Sequence, residues 1–111
     1  PLRIEQPASS ANDNRLAEAL ASVVTSTRSA WANATSVENS GSNDGYLRAA
    51  ALLRGAQQAL MEFGREYSST AETLALLKET TERRDRVIAA CAAENQTNRL
   101  RRLPEIPCGV K

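Results

Sequence analysis

The chain has 111 residues, enough for one domain, and its 14 basic and 13 acidic residues leave a net charge of +1. This balance excludes a strong overall attraction to nucleic acid or to anionic membranes, and no apolar stretch approaches the roughly 20 residues that a membrane span needs. Aromatic residues make up only 4% of the chain. A core built mainly on Ala and Leu is thin, and it gains stability from close helix packing or from oligomerisation.

The N-terminal segment PLRIEQPASSAN contains two prolines and small polar residues, which predict an extended or disordered arm over 1–12. It has neither the basic nor the apolar region of a signal peptide. The expected location is therefore the cytoplasm, or a virion or similar assembly. Pro1 fits a natural start after removal of an initiator Met, although a processed chain would look the same. Abundant Arg and Ala are typical of GC-rich bacterial or bacteriophage genes.

A first helix is predicted over about 13–38, with Asp13 or a neighbouring Asn as its N-cap. Its apolar positions recur in steps of three and four, the period of one helical face, and Trp31 is the largest side chain available to anchor that face. The cluster NSGSND at 39–44 predicts a turn. Asp44 is the expected N-cap of the next helix.

Residues 46–103 contain no proline and are rich in helix formers, so one helix or two can occupy them. One heptad register runs through the whole segment and favours a single straight coiled-coil helix. Its a positions are Leu53, Leu60, Tyr67, Leu74, Thr81, Ile88 and Asn95, and its d positions are Ala49, Ala56, Phe63, Thr70, Leu77, Arg84, Cys91 and Asn98. The stretch GREYSST argues against it, because Gly64 disfavours a helix interior and Ser69 with Glu72 fits a capping box.

The favoured prediction is an all-α, three-helix antiparallel bundle, because polar residues occupy several core positions in the second half of that register. Its helical domain covers 13–102, with helices at about 13–38, 44–67 and 69–101, and an extended tail follows over 103–111. The alternative is a long helical hairpin or coiled coil in which the helix does not break at Ser68–Ser69.

The third helix and the tail supply a candidate protein interface. VIAACAA at 87–93 is apolar on nearly every side, and such a segment is usually buried all round, so a second chain is expected to pack there. The tail has apolar residues spaced along an extended segment that suits a partner's groove, although it could equally pack on its own bundle or fray. The candidate interface residues are Val87, Ile88, Cys91, Leu103, Ile106 and Val110.

Cys91 and Cys108 allow two interpretations. Sixteen residues separate them, and a disulfide closing a loop of that size would contribute about 3 kcal/mol on the chain-entropy model. Alternatively, Cys91 is a small buried apolar residue and Cys108 is a free thiol on the tail. Two cysteines without any histidine do not make a zinc site.

The sequence predicts no enzyme, cofactor, metal or small-molecule site. Histidine is absent, which excludes Ser-His, Cys-His and His-metal chemistry, and no glycine-rich phosphate-binding loop is present. Arg99, Arg101 and Arg102 form a basic cluster that could contact nucleic acid. Arg is, however, also favoured at a helix C-terminus by the helix dipole.

These observations predict a non-enzymatic helical protein that self-associates or docks onto a larger assembly, such as a structural or adaptor component of a bacteriophage or bacterial machine. One alternative is a small dimeric nucleic-acid-binding or regulatory protein that uses the Arg cluster. Another is a helical inhibitor or chaperone of a single protein partner.

Overall fold

The computed structural model describes the backbone of residues 2–108 and the side chains of residues 14–108. Three helices follow one another: α1 (Leu2–Glu38), α2 (Gly45–Tyr67) and α3 (Ala71–Leu100). α2 packs against both other helices along its length, whereas α1 and α3 meet at fewer places. The predicted all-α bundle is confirmed. Within the described range, no helix has both the length and the apolar character needed to cross a bilayer.

α1 begins earlier than the sequence predicts. The span of α1 is Leu2–Glu38, so it takes in residues for which the sequence predicts an extended or disordered arm over 1–12 and a helix start near Asp13. Extending an existing helix adds one hydrogen bond for each residue fixed, whereas nucleation is the costly step. Residues before 14 other than Pro7, which has no N–H to donate, can therefore extend the helix formed over 14–38. Pro1 lies outside the described residues.

The connection between α1 and α2 matches the predicted turn at 39–44. Gly41 adopts φ of 80°, a conformation open to glycine and strained for most other residues. Gly45 starts α2 where it meets the end of α1, and a Cβ there would lie 2.8 Å from the Val37 carbonyl oxygen. Asp44 is at the N-cap position, but its side chain makes no capping hydrogen bond; its carboxylate lies 3.9 Å from Arg48.

The helix breaks after Tyr67 and turns back, so the bundle replaces the straight rod. Ser68 has φ of 88°, which ends α2. The capping box of α3 lies one residue beyond the predicted Ser69–Glu72 pair, at Thr70. The Thr70 hydroxyl accepts from the Thr73 amide at 3.0 Å, and the Thr73 hydroxyl accepts from the Thr70 amide at 2.9 Å.

Two apolar clusters make up the core. Near the α1–α2 connection, small side chains allow close helix approach: the buried residues are Ala34, Ala49, Ala50, Leu53 and Val87. Near the α2–α3 turn the side chains are larger: Val23, Leu60, Phe63 and Leu76. Trp31 packs against both clusters and links α1 to α3, because its Nε1 donates to the Thr80 hydroxyl at 2.9 Å.

The heptad register that runs through the sequence does not continue through the fold. Its α2 positions from Ala49 to Phe63 are buried as predicted. In α3 the buried positions begin one residue earlier in the heptad, at Thr73, Leu76 and Thr80, and Leu74 is 54% exposed. The turn therefore resets the phase in the first part of α3, whereas Cys91 and Asn95, at predicted d and a positions, are buried near its end.

The helices differ in length, which makes the molecule 77 Å long and only 20 × 15 Å across. α1 has 37 residues and α2 has 23. Tyr67 at the end of α2 shares a shallow groove with Ala19 of α1, so the part of α1 before Ala19 projects beyond the α2–α3 turn.

Candidate functional site

The C-terminal tail is attached to the bundle. A disulfide joins Cys91 to Cys108, with their Cα atoms 5.5 Å apart. Asn95 is buried, and its side chain pairs with the backbone of Ile106 in both directions. The amide nitrogen donates to the Ile106 carbonyl at 2.8 Å, and the amide oxygen accepts from the Ile106 N–H at 2.7 Å. Residues 103–108 therefore lie back along the end of α3.

This arrangement divides the predicted protein interface. Val87 is 5% exposed and Cys91 is fully buried, so the chain's own helices and tail already cover these two residues. Ile88 and Ile106 are half-buried, Leu103 is 50% exposed, and Val110 lies outside the described residues. Within the apolar segment 87–93, Val87 and Cys91 are thus buried within the chain, whereas Ala89, Ala92 and Ala93 are exposed.

The basic cluster at the end of α3 is exposed but partly engaged. The Arg99 guanidinium contacts the Glu105 carboxylate at 3.4 Å, which ties the tail to α3. Arg101 is the C-cap residue, and Arg102 has φ of 58° in the turn that follows. Because α3 ends at Leu100, Arg101 and Arg102 lie in the turn after the helix, while Arg99 lies within its last turn.

Glu79 is the centre of the ion pairs in the middle of α3. Its carboxylate accepts from Arg83 Nε at 2.9 Å and lies 3.6 Å from the Arg86 guanidinium. The Arg83 guanidinium stacks 4.2 Å above the Trp31 ring, so it covers part of a groove of about 400 Å³ between α1 and α3. The groove has an apolar floor that includes Leu53 and Val87.

One titratable group is perturbed near the α1–α2 connection. Burial raises the pKa of the Tyr46 phenol above its ordinary value, and the negative charges of Glu94 and Glu38 raise that pKa further. The phenol therefore stays neutral at physiological pH. Its role is in packing, since Tyr46 also contacts the small-residue core cluster.

The outer surface shared by α2 and α3, on the side away from α1, carries three of the six exposed large apolar side chains of the described residues. Met61 is 47% exposed, Leu74 is 54% exposed and Leu47 is 37% exposed. Leu77 and Ile88 are half-buried on the same side of α3. We call these five residues, with the polar residues between them, the α2–α3 face.

The spacing of the α2–α3 face is heptad-like on both helices. Positions 47, 54 and 61 of α2 are seven residues apart, as are positions 74, 81 and 88 of α3, and such positions share one side of a helix. Gln57 Nε2 donates to Thr81 Oγ1 at 2.8 Å, which fixes the two rows side by side. The sequence analysis predicts Ile88 as an interface residue, but it misses the rest of this face because the heptad register assigns Leu74 and Leu77 to an internal seam. The Leu47–Met61 repeat is the signal that could have revealed it.

Charged residues interrupt the apolar side chains of the α2–α3 face. Arg54 lies one turn from Gln57, on the side toward the α1–α2 connection. Because α2 and α3 are antiparallel, Asp85 lies one turn from Thr81 on that same side. Both are exposed, and neither forms an ion pair with any described residue. Arg84, three residues from Thr81, is half-buried, and its Nε has no hydrogen-bond partner among the described residues.

No protein-family model, curated protein or solved structure matches this chain. The arrangement of its own residues is therefore the basis for assigning a function.

Proposed function

We propose that this chain is a non-enzymatic helical protein that docks onto another protein chain through the α2–α3 face, as a structural or adaptor component of a larger assembly. The supporting observation is the pair of heptad-spaced rows that leaves Leu47, Met61 and Leu74 exposed although the internal core is complete. Burying the exposed half of a Leu or Met side chain is worth roughly 1 kcal/mol. Several such side chains on one face form an apolar surface against which two helices of a partner can pack.

The disulfide supports an assembly outside the reducing cytoplasm. Disulfides persist in oxidising environments and are rare in the cytosol. Asn95 and the backbone of Ile106 hold Cys108 next to Cys91, so the bond belongs to the folded arrangement of the tail. Of the two predicted locations, this favours a virion or another extracytoplasmic assembly, as expected for a bacteriophage or bacterial machine.

The proposal is tested by photo-crosslinking in the cells that naturally produce the chain. A benzophenone side chain in place of Met61 probes the α2–α3 face. The same side chain in place of Leu100, which is 83% exposed at the end of α3, is the matched control off the face. We expect covalent adducts with a protein chain at position 61 and none at position 100. No adduct at position 61, or equal adducts at both positions, would remove the face from any docking role.

A further inference from the structure

We propose that the α2–α3 face is occupied by a second copy of this chain, related to the first by a twofold axis parallel to the helices. This inference rests on the docking role proposed above. In this arrangement α2 of each copy lies against α3 of the other, and the four helices form a bundle across the interface. Facing helices of this kind pack through heptad-spaced side chains.

The positions of the apolar residues along the helices favour this arrangement. Measured from the Gln57–Thr81 contact at about 1.5 Å per residue, Met61 of α2 lies level with Leu77 of α3, one turn toward the α2–α3 turn. Toward the α1–α2 connection, Leu47 of α2 lies at a height along the bundle axis between those of Ile88 and Ala92 of α3. A parallel twofold axis keeps these levels, so each apolar residue of α2 meets an apolar residue on α3 of the second copy.

The charges on the face are complementary in the same arrangement. Arg54 of α2 and Asp85 of α3 both lie one turn to the same side of the Gln57–Thr81 contact. The twofold axis therefore brings Arg54 of each copy opposite Asp85 of the other. Arg84 is half-buried beside this position, so its guanidinium adds positive charge near an incoming carboxylate.

An antiparallel arrangement of the two copies fits less well. Matching Leu47 of one α2 with Met61 of the other requires position 54, which is midway between them, to face its own counterpart. That would place two Arg54 guanidinium groups against each other, and like charges that face each other across an interface are destabilising. The parallel arrangement replaces this repulsion with two attractive pairs.

The test uses charge reversal on the full chain, with the dissociation constant measured by sedimentation equilibrium and the mass checked by light scattering. The wild type is expected to form a dimer of twice its 12.0 kDa mass. Arg54→Asp and Asp85→Arg, each alone, should weaken the dimer by about tenfold, since each places like charges together at two symmetric positions. The double variant, Arg54→Asp with Asp85→Arg, should restore it to within about threefold.

Arg28→Asp is the control, because it makes the same charge change on an exposed position of α1, away from the α2–α3 face. It should leave the dimer unchanged. Circular dichroism of each variant verifies that helix content is retained. A monomeric wild type at about 1 mM, corresponding to a binding free energy weaker than about −4 kcal/mol, would overturn the second copy as occupant. The inference is also overturned if neither single charge reversal changes the dissociation constant of the dimer, or if the double variant dimerises as weakly as the single variants.

Photo-crosslinking at position 61 separates the failure of this inference from the failure of the docking role. If Met61 crosslinks to a different protein and the purified chain is monomeric, the face docks but the second copy is wrong as its occupant. If position 61 gives no adduct and the purified chain is monomeric, both are wrong.

Discussion

Two buried threonines show how one side chain's surroundings decide its contribution to stability. Thr27 of α1 and Thr80 of α3 are 1% and 0% exposed. The Thr80 hydroxyl accepts from Trp31 Nε1 and donates to the Leu76 carbonyl at 2.6 Å. The Thr27 hydroxyl has no hydrogen-bond partner among the described residues. A buried hydroxyl without a partner is destabilising relative to an apolar group of the same shape, whereas a bonded one is not.

Valine substitution at these two positions should therefore have opposite effects. Thr27→Val removes an unsatisfied hydroxyl, and we expect the free energy of unfolding to rise by about 0.5–1 kcal/mol. Thr80→Val removes two hydrogen bonds and leaves the Trp31 indole unpaired, and we expect a loss of about 1–3 kcal/mol. Both changes keep a β-branched residue, so helix propensity is matched.

Urea titration followed by circular dichroism measures both changes, with an unchanged m-value as the sign that the unfolded state is not altered. Equal destabilisation by the two substitutions would contradict the assigned surroundings of Thr27.

At the scale of helices, the start of α3 depends on which of two adjacent residues caps it. Ser69 and Thr70 both belong to residue types favoured at an N-cap. Thr70 has a reciprocal partner three positions on, because the Thr73 N–H donates to the Thr70 hydroxyl and the Thr73 hydroxyl accepts from the Thr70 N–H. Thr73 is buried, which holds its hydroxyl against the Thr70 backbone. Glu72, the partner predicted for Ser69, is exposed.

Alanine substitution distinguishes the two caps. Thr70→Ala should lower the free energy of unfolding by about 1 kcal/mol, the usual effect of losing an N-cap side chain. Ser69→Ala, the matched control, should change it by less than about 0.5 kcal/mol, as for a surface position. Thermal unfolding measures both. A larger loss for Ser69→Ala would show that α3 begins where the sequence predicts and not at Ala71.

The helices and turns could largely be predicted from the sequence, but which residues of α3 face the core could not. The turn at 39–44 and the buried positions of α2 follow from local composition and period. Gly64 and the serines also predict the break before α3. The phase of α3 depends on how many residues the turn uses, and no local signal fixes that number. The face at Leu74 was missed for the same reason, since a one-residue shift exchanges core and surface positions.

On the scale of the whole molecule, the two ends differ. At one end α1 projects beyond the α2–α3 turn. At the other, the tail folds back and is held by the Cys91–Cys108 bond and by Asn95. Of the residues predicted for a protein interface, Val87 packs in the small-residue core cluster and Cys91 is bonded to the tail. The tail's position could not be predicted, because docking in a partner, packing on the bundle and fraying all suit the composition of residues 103–111. By packing on Cys91 and Asn95, the tail adds buried contacts to a core that is poor in aromatic side chains.

The disulfide and Asn95 act on the same segment, so their contributions should not be additive. Cys108→Ala should lower the free energy of unfolding by about 3 kcal/mol through the lost loop constraint. In the disulfide-bonded chain, Asn95→Ala removes two hydrogen bonds and should cost about 1–3 kcal/mol. In the Cys108→Ala background the tail can already detach, so the same Asn95→Ala substitution should cost less than half as much, which is the sign of coupled residues in a double-mutant cycle.

Asn98→Ala is the control for this cycle. Asn98 is half-buried near the tail, but its contact with the tail is made by its backbone carbonyl, which accepts from the Leu103 N–H at 2.8 Å. Its side chain should therefore contribute less than about 0.5 kcal/mol in both backgrounds. Urea unfolding of the wild type, Asn95→Ala, Cys108→Ala and their double variant, without reductant, measures the coupling, and the two Asn98→Ala chains are measured in the same way. If Asn95→Ala costs the same with and without the disulfide, the two contacts hold the tail independently, and loss of the disulfide alone does not release it.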